Sequence, residues 1–225
     1  MTANSKTKRY IRFGAVFDRV GIWLILLLAA GTRLIGLGCP SKLVFDETYY
    51  VKDAWTLGNL GYEGAWPTDA NSSFESGQAN IFSSDGSFVV HPPLGKWLIF
   101  LGMKVFGPES SFGWRFSVAI FGIASVWLIY LVAVRLFGST RWALVPAFLL
   151  TIDGHAIVMS RTALLDGILA FFVLLGFYFL LRDRALSPLS IWRRPWLVAM
   201  ATALALAAAV KWSGLYFLAV FWFLW

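Results

Sequence analysis

Residues 113–137 read GWRFSVAIFGIASVWLIYLVAVRLF, a long apolar run with an arginine near each end. A helix needs about 20 apolar residues to cross a hydrocarbon core about 30 Å thick. Similar apolar blocks lie on either side of this run, at about 20–38, 142–158, 162–181, 195–211 and from Ser213 onward. Hydrophobic residues make up 59% of the chain and charged residues 14%, which leaves too little polar surface for a soluble domain. We therefore predict an all-α polytopic membrane protein with about six spans.

The charges between the blocks predict the orientation of the spans. Basic residues crowd the N-terminal tail (1–19), the turn 138–141 and the loop 182–194, which alternation places on one side, and the positive-inside rule makes that side cytoplasmic. The first long loop (39–112) and the turns 159–161 and 211–213 then lie outside. That loop holds eight of the twelve acidic residues, namely Asp46, Glu47, Asp53, Glu63, Asp69, Glu75, Asp85 and Glu109.

The same topology accounts for the net charge of +7, so we expect no nucleic-acid partner. Residues 20–225 form one predicted membrane domain. Because the last apolar run reaches Trp225 without a polar flank, we expect the chain to be the N-terminal part of a longer protein, cut inside its sixth span.

The first long loop is too long to lack structure in a compact protein. The spacing of Tyr50, Ala54, Leu57 and Leu60 predicts an interfacial helix over 46–60. Residues 94–106 are apolar but too short to cross a bilayer, so we expect a helix lying along the outer face. The Ser-, Asn-, Gly- and Asp-rich residues 67–89 predict a mobile outer segment.

Ionisable residues within the apolar blocks gather toward the predicted outer side. They are Arg33, Arg115, Asp153, His155, Arg161, Asp166 and Lys211. An ionised group at the bilayer centre costs roughly 2.5–3.5 kcal/mol or more, so such groups are usually paired or functional. The pattern therefore predicts a polar cavity that opens at the outer leaflet.

Asp46 and Glu47 follow the first apolar block and are the best candidates for chemistry. A structural role is open, because acidic residues at a helix start cap free N–H groups. Adjacent helical residues do not face the same point, which argues against two carboxylates acting on one atom. We expect one base that deprotonates an alcohol, Asp46, and one supporting residue, Glu47.

The string HPPLGK (91–96) is the second candidate feature. Its prolines start a helix at the first turn and so fix His91 and Lys96 at the interface. These side chains either form a cationic phosphate pocket or a turn with a snorkelling lysine. Arg115 is either an interfacial anchor or a ligand of a lipid phosphate.

Three further charges lie at the same depth. Arg161, Asp166 and Lys211 are further candidate substrate-binding residues, although Arg161 and Asp166 could instead form a structural ion pair between short helices and Lys211 is ambiguous by itself. No ligand pair has metal spacing and no glycine loop could cradle a phosphate, so neither a metal nor a cofactor is expected.

Taken together these motifs resemble the protein O-mannosyltransferase family, membrane glycosyltransferases of the GT-C class. The likeness rests on FDE (45–47) with Tyr50, on HPPLGK, on WRFS (114–117), on the stretch from Ser160 to Asp166 and on KWSG (211–214). The HPPLGK string is its most specific part, and the first loop is actinobacterial in style.

The resemblance implies inverting transfer of mannose from a polyprenyl-phosphate-mannose lipid to Ser or Thr hydroxyls of exported proteins. It implies Asp46 as the base and Glu47 in its network, with Arg115 holding the donor phosphate, helped by Lys96, His91 or Lys211. The expected location is the bacterial plasma membrane, or the endoplasmic reticulum in a eukaryote, with an extracytoplasmic active site. Association with the secretion translocon is a further expectation.

Two other functions would use the same residues. A GT-C enzyme with a lipid or cell-wall glycan as acceptor also needs Asp46 and a phosphate site. A transporter would use intramembrane charges to bind a solute, but such sites tend to lie near the midplane between broken helices. The charges here lie toward one face, which favours the enzyme.

Overall fold

The structure, a computed structural model, describes the backbone of residues 5–185 and 194–224, with side chains over 20–185 and 194–223. Ten helices occur in these ranges: α1 (Ser5–Leu34), α2 (Glu47–Leu60), α3 (Ala70–Glu75), α4 (Leu94–Phe106), α5 (Ser111–Phe137), α6 (Thr140–Ile152), α7 (Gly154–Arg161), α8 (Leu165–Arg184), α9 (Pro195–Val210) and α10 (Gly214–Leu224). The only β contact among the described residues is a bridge between Gly64 and Gly86. The predicted all-α architecture is confirmed.

The helices differ in how well they could cross a membrane. By length and composition α5 and α8 can each span one, and α6 with α7 can do so as a bent pair. Val20–Leu34 of α1, together with α9 and α10, are shorter apolar helices. The count of six spans therefore stays a prediction. The tail 1–19 is not separate from the first span, because α1 begins at Ser5, and residues 186–193 of the predicted basic loop lie outside the described ranges.

The third predicted span (142–158) is wrong as a single straight helix. The helix is interrupted at Asp153, and α6 and α7 meet there at an angle of 60°. Asp153 is extended and its carboxylate accepts a hydrogen bond from the N–H of Ala156, so it caps a new helix start. As a result α7 continues to Arg161, and the predicted turn at 159–161 falls instead at 162–164.

The central element of the bundle is α5, which packs against α1, α4, α6, α7 and α8. The largest apolar core surrounds its first turns, where Trp114 and Val118 are fully buried. Close packing of α4 on α5 depends on Gly102, since a Cβ there would lie 2.3 Å from the carbonyl oxygen of Gly113. A small residue at that position lets the backbones approach.

The first long loop folds onto this core. The predicted helix over 46–60 is confirmed as α2, which buries Tyr50, Ala54 and Leu57. The apolar stretch 94–106 is confirmed as a helix, α4, which packs between α2 and α5.

Residues 67–89, the predicted mobile outer segment, contain a short helix and several contacts with the rest of the loop. Phe74 of α3 is fully buried, and the Glu75 carboxylate accepts a hydrogen bond of 2.8 Å from the N–H of Leu43. Backbone hydrogen bonds join Glu63 and Ala65 to residues 83–87. The buried Phe74 anchors this segment, and its mobility stays a prediction.

Candidate active site

A cavity of about 440 Å³ lies beside the start of α2 and contains Asp46. Its other polar walls come from α2, from the residues before α4 and from α4 itself, and they are Thr48, Tyr49, Tyr50, Lys52, Asp53, Ser87, His91 and Lys96. Phe45, just before Asp46, has a positive φ of 52°, which is rare for a bulky residue and is typical of functional turns. This turn directs the chain into α2 at the cavity wall.

Asp46 occupies the N-cap position of α2, but its side chain makes no capping hydrogen bond. The carboxylate is half-buried and accepts a hydrogen bond of 3.4 Å from the hydroxyl of Tyr50, one turn later. Burial and the nearby Asp46 carboxylate raise the pKa of Tyr50 to about 12, so its hydroxyl stays protonated. The Asp46 carboxylate therefore contacts the Tyr50 hydroxyl and does not cap the helix, which was the structural alternative.

Glu47 faces the opposite way and is completely buried. Its two oxygens accept hydrogen bonds of 2.7 and 2.8 Å from the guanidinium of Arg115 in α5. They also accept from the N–H of Ala163, at 2.7 Å, and from that of Val44, at 3.0 Å. Glu47 thus joins α2 to α5 and to the turn before α8, and it holds Asp46 in place without lining the cavity.

All five N–H groups of Arg115 are taken by protein acceptors. Besides Glu47, the guanidinium donates to the carbonyl oxygens of Leu37, Pro40 and Lys42 at 3.2, 2.8 and 2.9 Å. The side chain is 1% exposed. Its predicted contact with a donor phosphate disagrees with this geometry, since no donor is left for a ligand.

Lys96 is also committed to the protein. Its ammonium lies 3.0 Å from the carboxylate of Asp53 and 3.1 Å from that of Glu63, and the residue is fully buried. Burial raises the pKa of Asp53, and Lys96 opposes that shift. The phosphate role predicted for Lys96 is thus disfavoured, because leaving two acids unpaired would be costly.

His91 and Lys211 remain available to a ligand. His91 lies against Tyr50, with ring centroids 6.0 Å apart, and its buried Nδ1 has no hydrogen-bond partner. Burial, Lys211 and Lys96 lower the pKa of His91. Lys211 lies 2.7 Å from the Asp166 carboxylate in a partly exposed ion pair. The charges of Lys211, Asp166 and Asp46 all act on the pKa of His91, so the Lys211–Asp166 pair is electrostatically coupled to the cavity that His91 lines.

Arg161 does not pair with Asp166, so the structural alternative of an ion pair between them is wrong. Its guanidinium donates to the carbonyl oxygens at the end of α1, namely those of Thr32, Arg33, Ile35 and Gly36. A cation at a helix C-terminus satisfies free carbonyls and complements the dipole. Asp166 takes Lys211 as its partner instead.

Sequence reasoning missed the partners of Lys96 and two further cavity residues, Lys52 and Trp66. The Lys52 ammonium lies 5.8 Å from the centre of the Trp66 ring. Lys96, in the first turn of the apolar helix α4, indicates that a buried acidic partner is nearby. The sequence could not identify that partner, because the first long loop contains eight acidic residues. Among the described residues, no three His, Cys, Asp or Glu side chains converge as metal ligands.

The bundle has the fold of GT-C membrane glycosyltransferases. The yeast (Saccharomyces cerevisiae) protein O-mannosyltransferase Pmt1-Pmt2 complex bound to the sugar donor superimposes with a TM-score of 0.67 and 22% identity, over 89% of this chain and 26% of the matched one. ArnT from Cupriavidus metallidurans in the apo state gives 0.65 and 22%, over 86% and 33%.

The family follows from the sequence. The profile of the dolichyl-phosphate-mannose-protein mannosyltransferase family matches residues 91–225, so the chain belongs to that family and is an integral membrane protein. A Mycobacterium tuberculosis polyprenol-phosphate-mannose–protein mannosyltransferase is 36% identical over 91% of this chain and 40% of its own length. The Corynebacterium glutamicum relative is 34% identical over 88% and 40%. The chain thus spans about 40% of these relatives.

Proposed function

We propose that the protein transfers mannose from a polyprenyl-phosphate-mannose lipid to Ser or Thr hydroxyls of exported polypeptides, with inversion. The names of the actinobacterial relatives support the donor and the acceptor class. One structural observation carries the proposal. Of two adjacent acids, Asp46 lines a cavity with a free carboxylate oxygen, whereas Glu47 is enclosed by protein donors.

The proposed reaction needs a base and a countercharge. Asp46 accepts the proton of the acceptor hydroxyl while the oxygen of that hydroxyl bonds to the anomeric carbon, from the face opposite the phosphate. The bond from that carbon to the phosphate oxygen breaks, and polyprenyl phosphate leaves with the electron pair. Lys211 and His91, in place of Arg115 and Lys96, stabilise the leaving phosphate. The half-exposed Asp166 would then release Lys211 to the phosphate.

The side of the membrane is part of the proposal. The Asp46 cavity lies at the end of the bundle opposite Arg135 and Arg141, which flank the turn between α5 and α6. Together with the positive-inside rule, this supports an extracytoplasmic position for Asp46. The mycobacterial and corynebacterial relatives favour the bacterial plasma membrane. We also propose association with the secretion translocon, which co-purification of the two would test.

The test supplies membranes containing the whole protein with polyprenyl-phosphate-mannose and a Ser/Thr-rich peptide. Mannosyl-peptide should form, and Asp46→Asn should abolish it, by at least about a hundredfold as expected for a lost general base. The variant should insert and bind donor as the parent does. Labelling of a lipid or glycan without mannosyl-peptide would refute the protein acceptor, and turnover by Asp46→Asn would refute the base.

A further inference from the structure

A second cavity, of about 300 Å³, adjoins the active site at Asp166. Its walls come from α1, α5, α6, α7 and α8, and they include Arg33, Ser125, His155 and Ser160. Asp166 lines this cavity, and the same carboxylate is near enough to His91 and Tyr50 to act on both. The proposed transfer reaction makes no use of this space.

Arg33 gives the second cavity an unsatisfied cation. The residue is 1% exposed, and its terminal nitrogens donate to the Thr32 hydroxyl and to the carbonyl oxygens of Thr151 and Leu150. Its Nε has no hydrogen-bond partner. A charge within an apolar helix is costly and a buried donor is seldom left unpaired, so an acceptor is expected in the cavity. The exposed His155 is a second candidate donor there.

The acids beside Arg33 are already engaged. Asp166 is paired with Lys211 at 2.7 Å, and the Asp153 carboxylate caps α7 through a 2.7 Å hydrogen bond from Ala156. Neither approaches Arg33 closely enough to form an ion pair within 4.0 Å. Asp153 acts on Arg33 only at longer range, so the guanidinium in the cavity has no contact ion pair.

An apolar groove of about 830 Å³ continues from this cavity. The two share Ser125, Leu150 and Ala170. Apart from Asp153 at the break between α6 and α7, the rest of the groove is apolar, with Leu149 and Leu174 among its walls. It runs along the break between α6 and α7, where the bend separates the helices. A cationic, anion-binding pocket joined to an apolar groove fits a ligand with one phosphate and a long hydrocarbon tail.

We propose that this cavity and groove bind a polyprenyl phosphate lipid at a position separate from the transfer site. Its phosphate accepts from Arg33 Nε and His155, and its isoprenoid tail lies in the groove. The class of lipid rests on the proposed function. The site is identified by the Arg33 guanidinium with its unpaired Nε and by the apolar groove that continues from it. A lipid carrier bound there would lie between the bilayer and Asp46.

The experiment measures binding of labelled polyprenyl phosphate to the whole protein in phosphatidylcholine nanodiscs, without acceptor peptide. Ser125→Phe should close the junction between cavity and groove, and His155→Ala should remove a phosphate donor. Thr202→Phe is the matched control. The hydroxyls of Ser125 and Thr202 each donate to the carbonyl oxygen four residues earlier, but Thr202 is exposed and lies outside the site. Affinity should fall at least about fivefold in each site variant, because His155→Ala loses a charge-assisted contact and Ser125→Phe blocks the path of the tail, and it should not fall in the control.

Unchanged affinity in both site variants would overturn the proposal, and so would equal competition by phosphatidylglycerol. A repeat with polyprenyl-phosphate-mannose assigns the occupant. If both lipids lose affinity, the donor also binds here, and if only the discharged lipid does, the site holds the released carrier. A protein that binds the lipid here but transfers no mannose would refute the proposed function alone.

Discussion

Asp46 and Glu47 are adjacent acids with opposite environments, and this difference gives separable effects on activity and stability. Glu47→Gln leaves the Arg115 charge buried without its counterion, at an expected cost of about 3–5 kcal/mol. Asp46→Asn removes the same charge from a cavity wall and should change stability little. Thermal unfolding of the two variants in detergent is the measurement. Equal stability of the two would contradict the structural role of Glu47.

His91 is expected to make donor binding pH-dependent. Burial and the nearby lysines lower its pKa from the ordinary value of 6.5, so the ring is neutral at neutral pH and gains charge as the pH falls below that value. A cationic ring beside the donor phosphate should then tighten donor binding by roughly fivefold, the worth of about 1 kcal/mol for a solvent-accessible pair.

Donor binding by the parent and by His91→Gln, measured from neutral pH to about pH 5, tests this directly. Binding is the suitable readout because Asp46 must stay ionised for turnover. A His91→Gln variant with the same pH dependence as the parent would remove His91 from the phosphate site.

At the scale of elements, the crossing of α4 and α5 fixes the active site, since α4 carries Lys96 and α5 carries Arg115. A methyl group at Gly102 would lie 2.3 Å from the Gly113 carbonyl oxygen. Gly102→Ala should therefore destabilise the protein by about 1–3 kcal/mol, the usual cost of overpacking. Gly154→Ala is the control, because a Cβ there meets nothing within 4 Å. Thermal unfolding in detergent should show a lower midpoint only for Gly102→Ala.

Helix positions could be predicted from the sequence more fully than helix contacts. Apolar periodicity and proline placement gave α2 and α4 nearly to the residue, because these signals are local. The break at Asp153 was missed because an apolar sequence continues through it. The roles of Arg115 and Lys96 were missed because their partners lie 68 and 33 residues away. The position of a charged residue within an apolar segment indicates that it has a partner, but it does not identify that partner.

At the scale of the molecule, the orientation in the membrane can be tested with the chain's own cysteine. Cys39 is the only cysteine of the sequence printed here, and it is exposed near the Asp46 end of the bundle. A membrane-impermeant maleimide should label it in intact cells. Ser139→Cys with Cys39→Ser, at the opposite end, should react only after permeabilisation. The reverse pattern would place the active site in the cytoplasm.

Because Glu47 is buried and Asp46 lines the cavity, the order of aspartate and glutamate at these two positions matters, although charge and composition do not depend on it. Writing glutamate first and aspartate second would preserve length, hydropathy and net charge. The shorter acid would then fall about 1.5 Å short of the two Arg115 nitrogens and the Ala163 N–H that it must reach. A sequence comparison that treats every acidic pair as equivalent would accept both Asp-Glu and Glu-Asp. Only Asp-Glu lets the second side chain reach the buried partners of Glu47.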